Sequence, residues 1–74
     1  MEITDFLRCA NEEMNKFEKE FPTKGLEPCK NYLNFAGRDI VFAETLEAPN
    51  TKFREEYLQV KERLQKLRRT AFYQ

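Results

Sequence analysis

Five cations and two aromatics crowd into the last fifteen residues, VKERLQKLRRTAFYQ: Lys61, Arg63, Lys66, Arg68, Arg69, Phe72 and Tyr73. Cations that neutralise phosphates, interleaved with rings that stack on bases, are the chemistry of nucleic-acid binding. Arginine beside an aromatic ring is equally the chemistry of protein interfaces. A second cluster, Arg38, Asp39 and Glu44, has the charges to orient a small ligand, although a charged rim on a turn is ordinarily just solvated. Carboxylates are plentiful in NEEMNKFEKE and REE, and they recur as they do on solvated helix faces rather than as a catalytic pair.

Other chemistries find little purchase. The chain has no histidine, so the usual general base and the commonest metal ligand are missing. Its two cysteines, Cys9 and Cys29, lie twenty residues apart in no CxxC pair, which gives no zinc site within one chain. Free thiols are the expectation for them. No glycine-rich loop or nucleophile elbow occurs, and no cofactor is expected. The reading is therefore of a protein that is not an enzyme.

Charge is zero overall but polarised. Residues 1–20 carry −3, residues 21–50 carry −1 and residues 51–74 carry +4. A pI near 6.3 argues against a dedicated nucleic-acid binder, which would carry a positive excess. No apolar run approaches the roughly 20 residues that span a bilayer. The first 21 residues lack a basic stretch followed by an apolar block, so a cytoplasmic protein is expected, in the host cytoplasm if the chain is viral.

The elements that must position these residues follow from periodicity. Ile3, Leu7, Ala10, Met14, Phe17 and Phe21 recur at spacings of 4, 3, 4, 3, 4, which predicts a helix over residues 4–20 with Thr4 or Asp5 at its start. Phe53, Tyr57, Val60, Leu64, Leu67 and Ala71 repeat that spacing, which predicts a second helix over 51–72, capped by Asn50 or Thr51. Residues 22–28, PTKGLEP, read as linker. Residues 32–46 read as a β-hairpin with Gly37-Arg38 as its turn; Leu33 and Phe35 share one face of the first strand, Ile40 and Phe42 one face of the second. A rival reading makes RDIVFAETLEA a helix capped by Asp39, but the Ile-Val pair and Thr45 favour strands.

The expected fold is one small α+β domain over residues 1–74, helix–hairpin–helix, with an all-α three-helix arrangement as the alternative. Leu7, Met14, Phe17, Phe35, Phe42, Leu64 and Leu67 form its expected core. Edge strands of the hairpin could pair two copies into a homodimer.

Flanking charges then sort the basic tail. Beside the C-terminal seam lie Arg54, Lys61 and Arg68 on one edge and Arg63 on the other; beside the N-terminal seam lie Glu13, Glu18 and Glu20. Acidic flanks meeting basic ones predict that the two helices pair with each other. Lys66, Arg69, Phe72 and Tyr73 are left free, and with Arg38 and Asp39 they are the residues expected to meet a partner. The functional expectation is a protein-interaction module: a small inhibitor, adaptor or assembly subunit that binds a larger protein, of the kind viruses and mobile elements encode. The alternative is nucleic-acid binding through the basic C-terminal helix.

Overall fold

The computed structural model describes residues 2–72, and these form three α-helices: α1 (Ile3–Lys24), α2 (Leu26–Thr45) and α3 (Arg54–Phe72). No strand occurs among the described residues. The expected helix–hairpin–helix α+β fold is thereby overturned in favour of the all-α arrangement. Residues 32–46 lie almost wholly within α2, so neither the hairpin nor edge-strand pairing between copies exists.

Each helix is built on the same repeat. In α1 the residues Leu7, Ala10, Met14 and Phe17 are buried, with Ile3 and Phe21 packed at the ends of that stripe. Asp5 anchors its start by accepting the Glu2 backbone N–H at 3.0 Å. In α3 Tyr57, Val60 and Leu64 are buried, with Leu67 and Ala71 beside them. Its entry is held by Thr51, whose hydroxyl oxygen accepts the Phe53 N–H at 3.1 Å. In α2 the buried set is Cys29, Leu33, Ala36, Ile40 and Ala43, spaced 4, 3, 4, 3. This third seam explains why the helix wins. Strand propensity in Ile40 and Val41 is a weak local preference, whereas five side chains on one helical face share a core with two other helices. Thr45, also β-branched, is accommodated by donating its hydroxyl to the Val41 carbonyl at 3.0 Å.

The expected 22–28 linker shrinks to one residue. Gly25 takes φ 80°, ends α1 with its N–H on the Phe21 carbonyl, and opens directly into α2. Pro22 sits in the last turn of α1, where its missing N–H deprives only the Glu18 carbonyl. Pro28 falls in the first turn of α2, where backbone N–H groups have no intrahelical acceptor anyway. Residues that punctuate a loop in sequence therefore mark a tight corner between two helices. The second corner is longer: Glu47 in the left-handed region at φ 61°, then a short 3-10 turn, Ala48–Asn50, with Ala48 buried.

Pairing runs up, down, up. Phe6 meets Phe42 and Glu20 meets Tyr32, so α1 and α2 are antiparallel. Glu44 meets Tyr57, while Arg68 reaches Gly37, so α2 and α3 are antiparallel too. Helix α1 packs most extensively on α2, and α3 closes the bundle against both. The buried alanines Ala10, Ala36 and Ala43 are small enough to let the backbones approach closely. Phe17, Met14, Leu33 and Cys29 are the largest fully enclosed side chains.

Two further expectations need correction. Phe35 and Phe42 do not belong to the core: they are 50% and 41% exposed. On a helix whose buried stripe runs through residues 29, 33, 36, 40 and 43, positions 35 and 42 fall to one side of it. The predicted pairing of acidic and basic flanks holds for Arg63 alone. Its guanidinium lies 2.7 Å from Glu18 and also bonds the side chains of Asn11 and Asn15, tying α3 to α1. Lys61 and Arg68 face α2 instead, because α3 sits across both helices and its other edge looks toward α2.

Candidate protein-docking face

The aromatics left outside the core gather on one face. On α2 the positions 35, 38, 39 and 42 form a stripe beside the buried one. On α1 the positions 6, 9 and 13 do the same. Antiparallel packing brings the two stripes together, and Phe6, Cys9, Glu13, Phe35, Arg38, Asp39 and Phe42 line a shared open groove. The rings of Phe6 and Phe42 bridge the helices, with centroids 5.3 Å apart and planes inclined by 30°. The Arg38 guanidinium carbon lies 5.7 Å from the Phe42 ring centre, at cation–π range. Leu46, 43% exposed, continues the apolar stripe one turn beyond Phe42.

Charge in this groove is unevenly placed. Partial burial raises the Asp39 carboxyl above its ordinary value, and the charge of Glu13 pushes it the same way, while Arg38 opposes them. Glu13 has Lys16 as a partner on its own helix at 3.4 Å. The α1 side of the groove therefore carries the Glu13 carboxylate, and the α2 side carries the Asp39 carboxylate next to a guanidinium lying on a ring.

The other two grooves mix polar and aliphatic walls and, among the described residues, carry no aromatic ring. Between α1 and α3 an open groove of about 500 Å³ is walled by the Arg63 fan described above, with Arg8, Glu12, Glu56 and Gln59 around it. Between α2 and α3 Lys61 is 3.3 Å from Glu44 and 3.2 Å from the Tyr57 hydroxyl oxygen, while the Arg68 guanidinium rests against bare backbone at Gly37. Tyr57 donates its hydroxyl hydrogen to Glu44. That bond, and then Lys61, lowers the Glu44 carboxyl, while burial and the same carboxylate raise the Tyr57 hydroxyl. A matching cluster joins α1 to α2: Tyr32 donates to Glu20 at 2.7 Å, and Lys24 lies 2.6 Å from the other oxygen. Lys24 and Tyr32, in that order, lower the Glu20 carboxyl. Both clusters bridge successive helices next to the corner that joins them.

The residues expected to meet a partner are split by the fold. Arg38 and Asp39 lie in the aromatic groove, on a helix rather than a turn. Lys66, Arg69 and Phe72 lie on the outward side of α3, away from it. There Lys66 is 3.4 Å from Glu62, Arg69 donates to the Gln65 carbonyl at 3.4 Å, and Phe72 is 48% exposed. Tyr73 lies outside the described residues. Phe6, Phe35 and Phe42 were not expected at a binding face, and their signal was present: the 4, 3, 4, 3 run from Cys29 to Ala43 completes the core without them.

Chemically, the groove offers aromatic and aliphatic contact with a charged rim. Among the described residues no three His, Cys, Asp or Glu side chains converge as metal ligands. Cys9 is half-buried in the groove and Cys29 is enclosed in the core; both are free thiols. Among the described residues no helix is long and apolar enough to cross a membrane. Compared with protein-family models, curated proteins and solved structures, the chain matches none.

Proposed function

We propose that this chain is a non-enzymatic protein-interaction module that works by covering a protein surface with its α1–α2 face. One observation carries the reading: Phe35 and Phe42 stand half in solvent although the core is complete without them. Half-exposed rings give folding far less than enclosed ones, whereas aromatic and arginine side chains together are the anchors of interfaces. Nucleic acid is a poorer match for the basic helix. Lys61, Arg63 and Lys66 each have a carboxylate partner. A cytoplasmic location is part of the proposal, in keeping with two free thiols.

The test compares tagged wild type with Phe35→Glu and Phe42→Glu in capture from lysate, alongside binding to duplex and single-stranded nucleic acid at low salt. Protein recovered by wild type and lost by both variants, with helicity unchanged, supports the proposal. Retention of the same protein by both variants, or tight salt-sensitive nucleic-acid binding instead, sinks it.

A further inference from the structure

We propose that the occupant of the α1–α2 face is a second copy of this chain, in a two-fold dimer whose axis runs along the groove and lays α1 of each copy against α2 of the other. The inference rests on the reading of this face as a docking surface and names what docks there.

The rims of the groove are unlike, and that decides the arrangement. Glu13 stands on the α1 rim and Arg38 on the α2 rim, at nearly the same level, since the register that sets Phe6 on Phe42 and Glu20 on Tyr32 puts Glu13 opposite the turn that holds Arg38. A two-fold along the groove carries each rim onto the opposite rim of the copy. Arg38 then meets Glu13 of the second copy, and the reciprocal pair forms by symmetry. Phe6, Phe35 and Phe42 of each chain meet their counterparts in the middle, where water is excluded. A two-fold running across the groove would instead set Glu13 against Glu13 and Arg38 against Arg38, which repel.

Charge also favours self-recognition over a strongly basic or acidic partner. The charged lining residues Glu13, Arg38 and Asp39 sum to −1, and Lys16 lies 3.4 Å from Glu13 on its outer side, so little net charge opposes the approach of a copy. The excess of basic residues after residue 50 is carried by α3, which contributes nothing to the groove lining. Arg38 of the second copy arrives beside Glu13, the carboxylate that crowds Asp39 in the single chain. The rotated face thus offers an aromatic centre, with Arg38 brought to Glu13 on each side.

Light scattering after size exclusion should give twice the 8.9 kDa chain mass. Arg38→Glu and Glu13→Lys should each weaken association by roughly tenfold or more, since each replaces two attractive contacts by two repulsive ones. Mixed in equal amounts, the two variants should recover wild-type dimerisation, because every contact in the mixed dimer again joins opposite charges. Circular dichroism checks that each variant keeps its helicity. A wild-type chain that remains monomeric up to about 1 mM overturns the inference. So does a dimer indifferent to Phe35→Glu with Phe42→Glu, or a mixture that fails to associate. A monomeric wild type whose capture of a foreign protein is lost in the Phe35 and Phe42 variants leaves the docking face standing and removes only the second copy from it. A monomer that captures nothing removes both.

Discussion

Tyr57 on α3 donates its hydroxyl hydrogen to Glu44, thirteen residues earlier on α2, and Lys61 closes the group one turn further along. Glu20, Tyr32 and Lys24 repeat the arrangement between α1 and α2. Each helix is therefore latched to the next by a tyrosine on a carboxylate, near the corner where the chain reverses.

These latches make stability fall in acid. Glu20 and Glu44 ionise at lower pH in the folded chain than their ordinary 4.5. Their contribution is therefore complete above that value and is lost as pH falls through the lower folded values. Thermal melts from about pH 6 down to about pH 3 should show a falling midpoint, with a shallower fall in Glu20→Gln with Glu44→Gln. An equally steep fall in the double variant would assign the acid sensitivity elsewhere. In alkali the tyrosines act oppositely. Tyr32 and Tyr57 are raised above 10.0, so their contribution is complete below that value and fades as pH rises through the higher folded ones. Tyr57→Phe should cost about 0.5–1.5 kcal/mol at neutral pH, the range of a typical intramolecular hydrogen bond.

Asp39 has the contrary sign. Burial and Glu13 raise its carboxyl, so the folded chain resists its ionisation and is destabilised by it at neutral pH. Asp39→Asn should raise the urea midpoint at pH 7, with a gain in unfolding free energy of less than about 1 kcal/mol because the site is partly solvated. That gain should vanish near pH 3, where the wild-type carboxyl is protonated as well. A lower midpoint at pH 7 would show that the charge makes a favourable contact.

Gly37 stands in the middle of α2, where glycine costs about 1 kcal/mol relative to alanine. A β-carbon there would lie 2.5 Å from the Arg68 Nη2 atom and 3.7 Å from Leu64. The near contact is the free end of a flexible exposed side chain, which can swing into water. Gly37→Ala should therefore stabilise the chain by about 0.5–1 kcal/mol in urea titration. Net destabilisation would mean that the guanidinium is held against the backbone more tightly than its exposure implies.

Phe17 is 2% exposed at the centre of the bundle and stacks on Phe21 with ring centres 4.8 Å apart. Phe17→Ala should cost about 3–5 kcal/mol, a large fraction of the stability of so small a domain. Phe35→Ala, on the groove, should cost under about 1 kcal/mol in the single chain. Equal losses at the two positions would contradict the division between core and docking face.

Much of this molecule was determined by the sequence alone. The outer helices follow from repeats at Ile3 to Phe21 and Phe53 to Ala71, because a buried stripe on a helix requires that spacing whatever it packs against. The Arg63–Glu18 contact follows from acidic and basic flanks on those helices. The middle segment was less readable. Phe35, Phe42 and the Ile40-Val41 pair make an alternating apolar pattern that overlays the heptad of Cys29 to Ala43, and a local pattern cannot say which apolar residues are inside. Only tertiary packing decided that. Two neighbouring helices exclude water from one face of α2 and leave the next face open, so Leu33 and Ile40 became core while Phe35 and Phe42 became surface. The same packing turned Lys61 and Arg68 toward α2, moved the strongest candidate site from the basic tail to the α1–α2 groove, and gave Arg38 and Asp39 their aromatic surroundings.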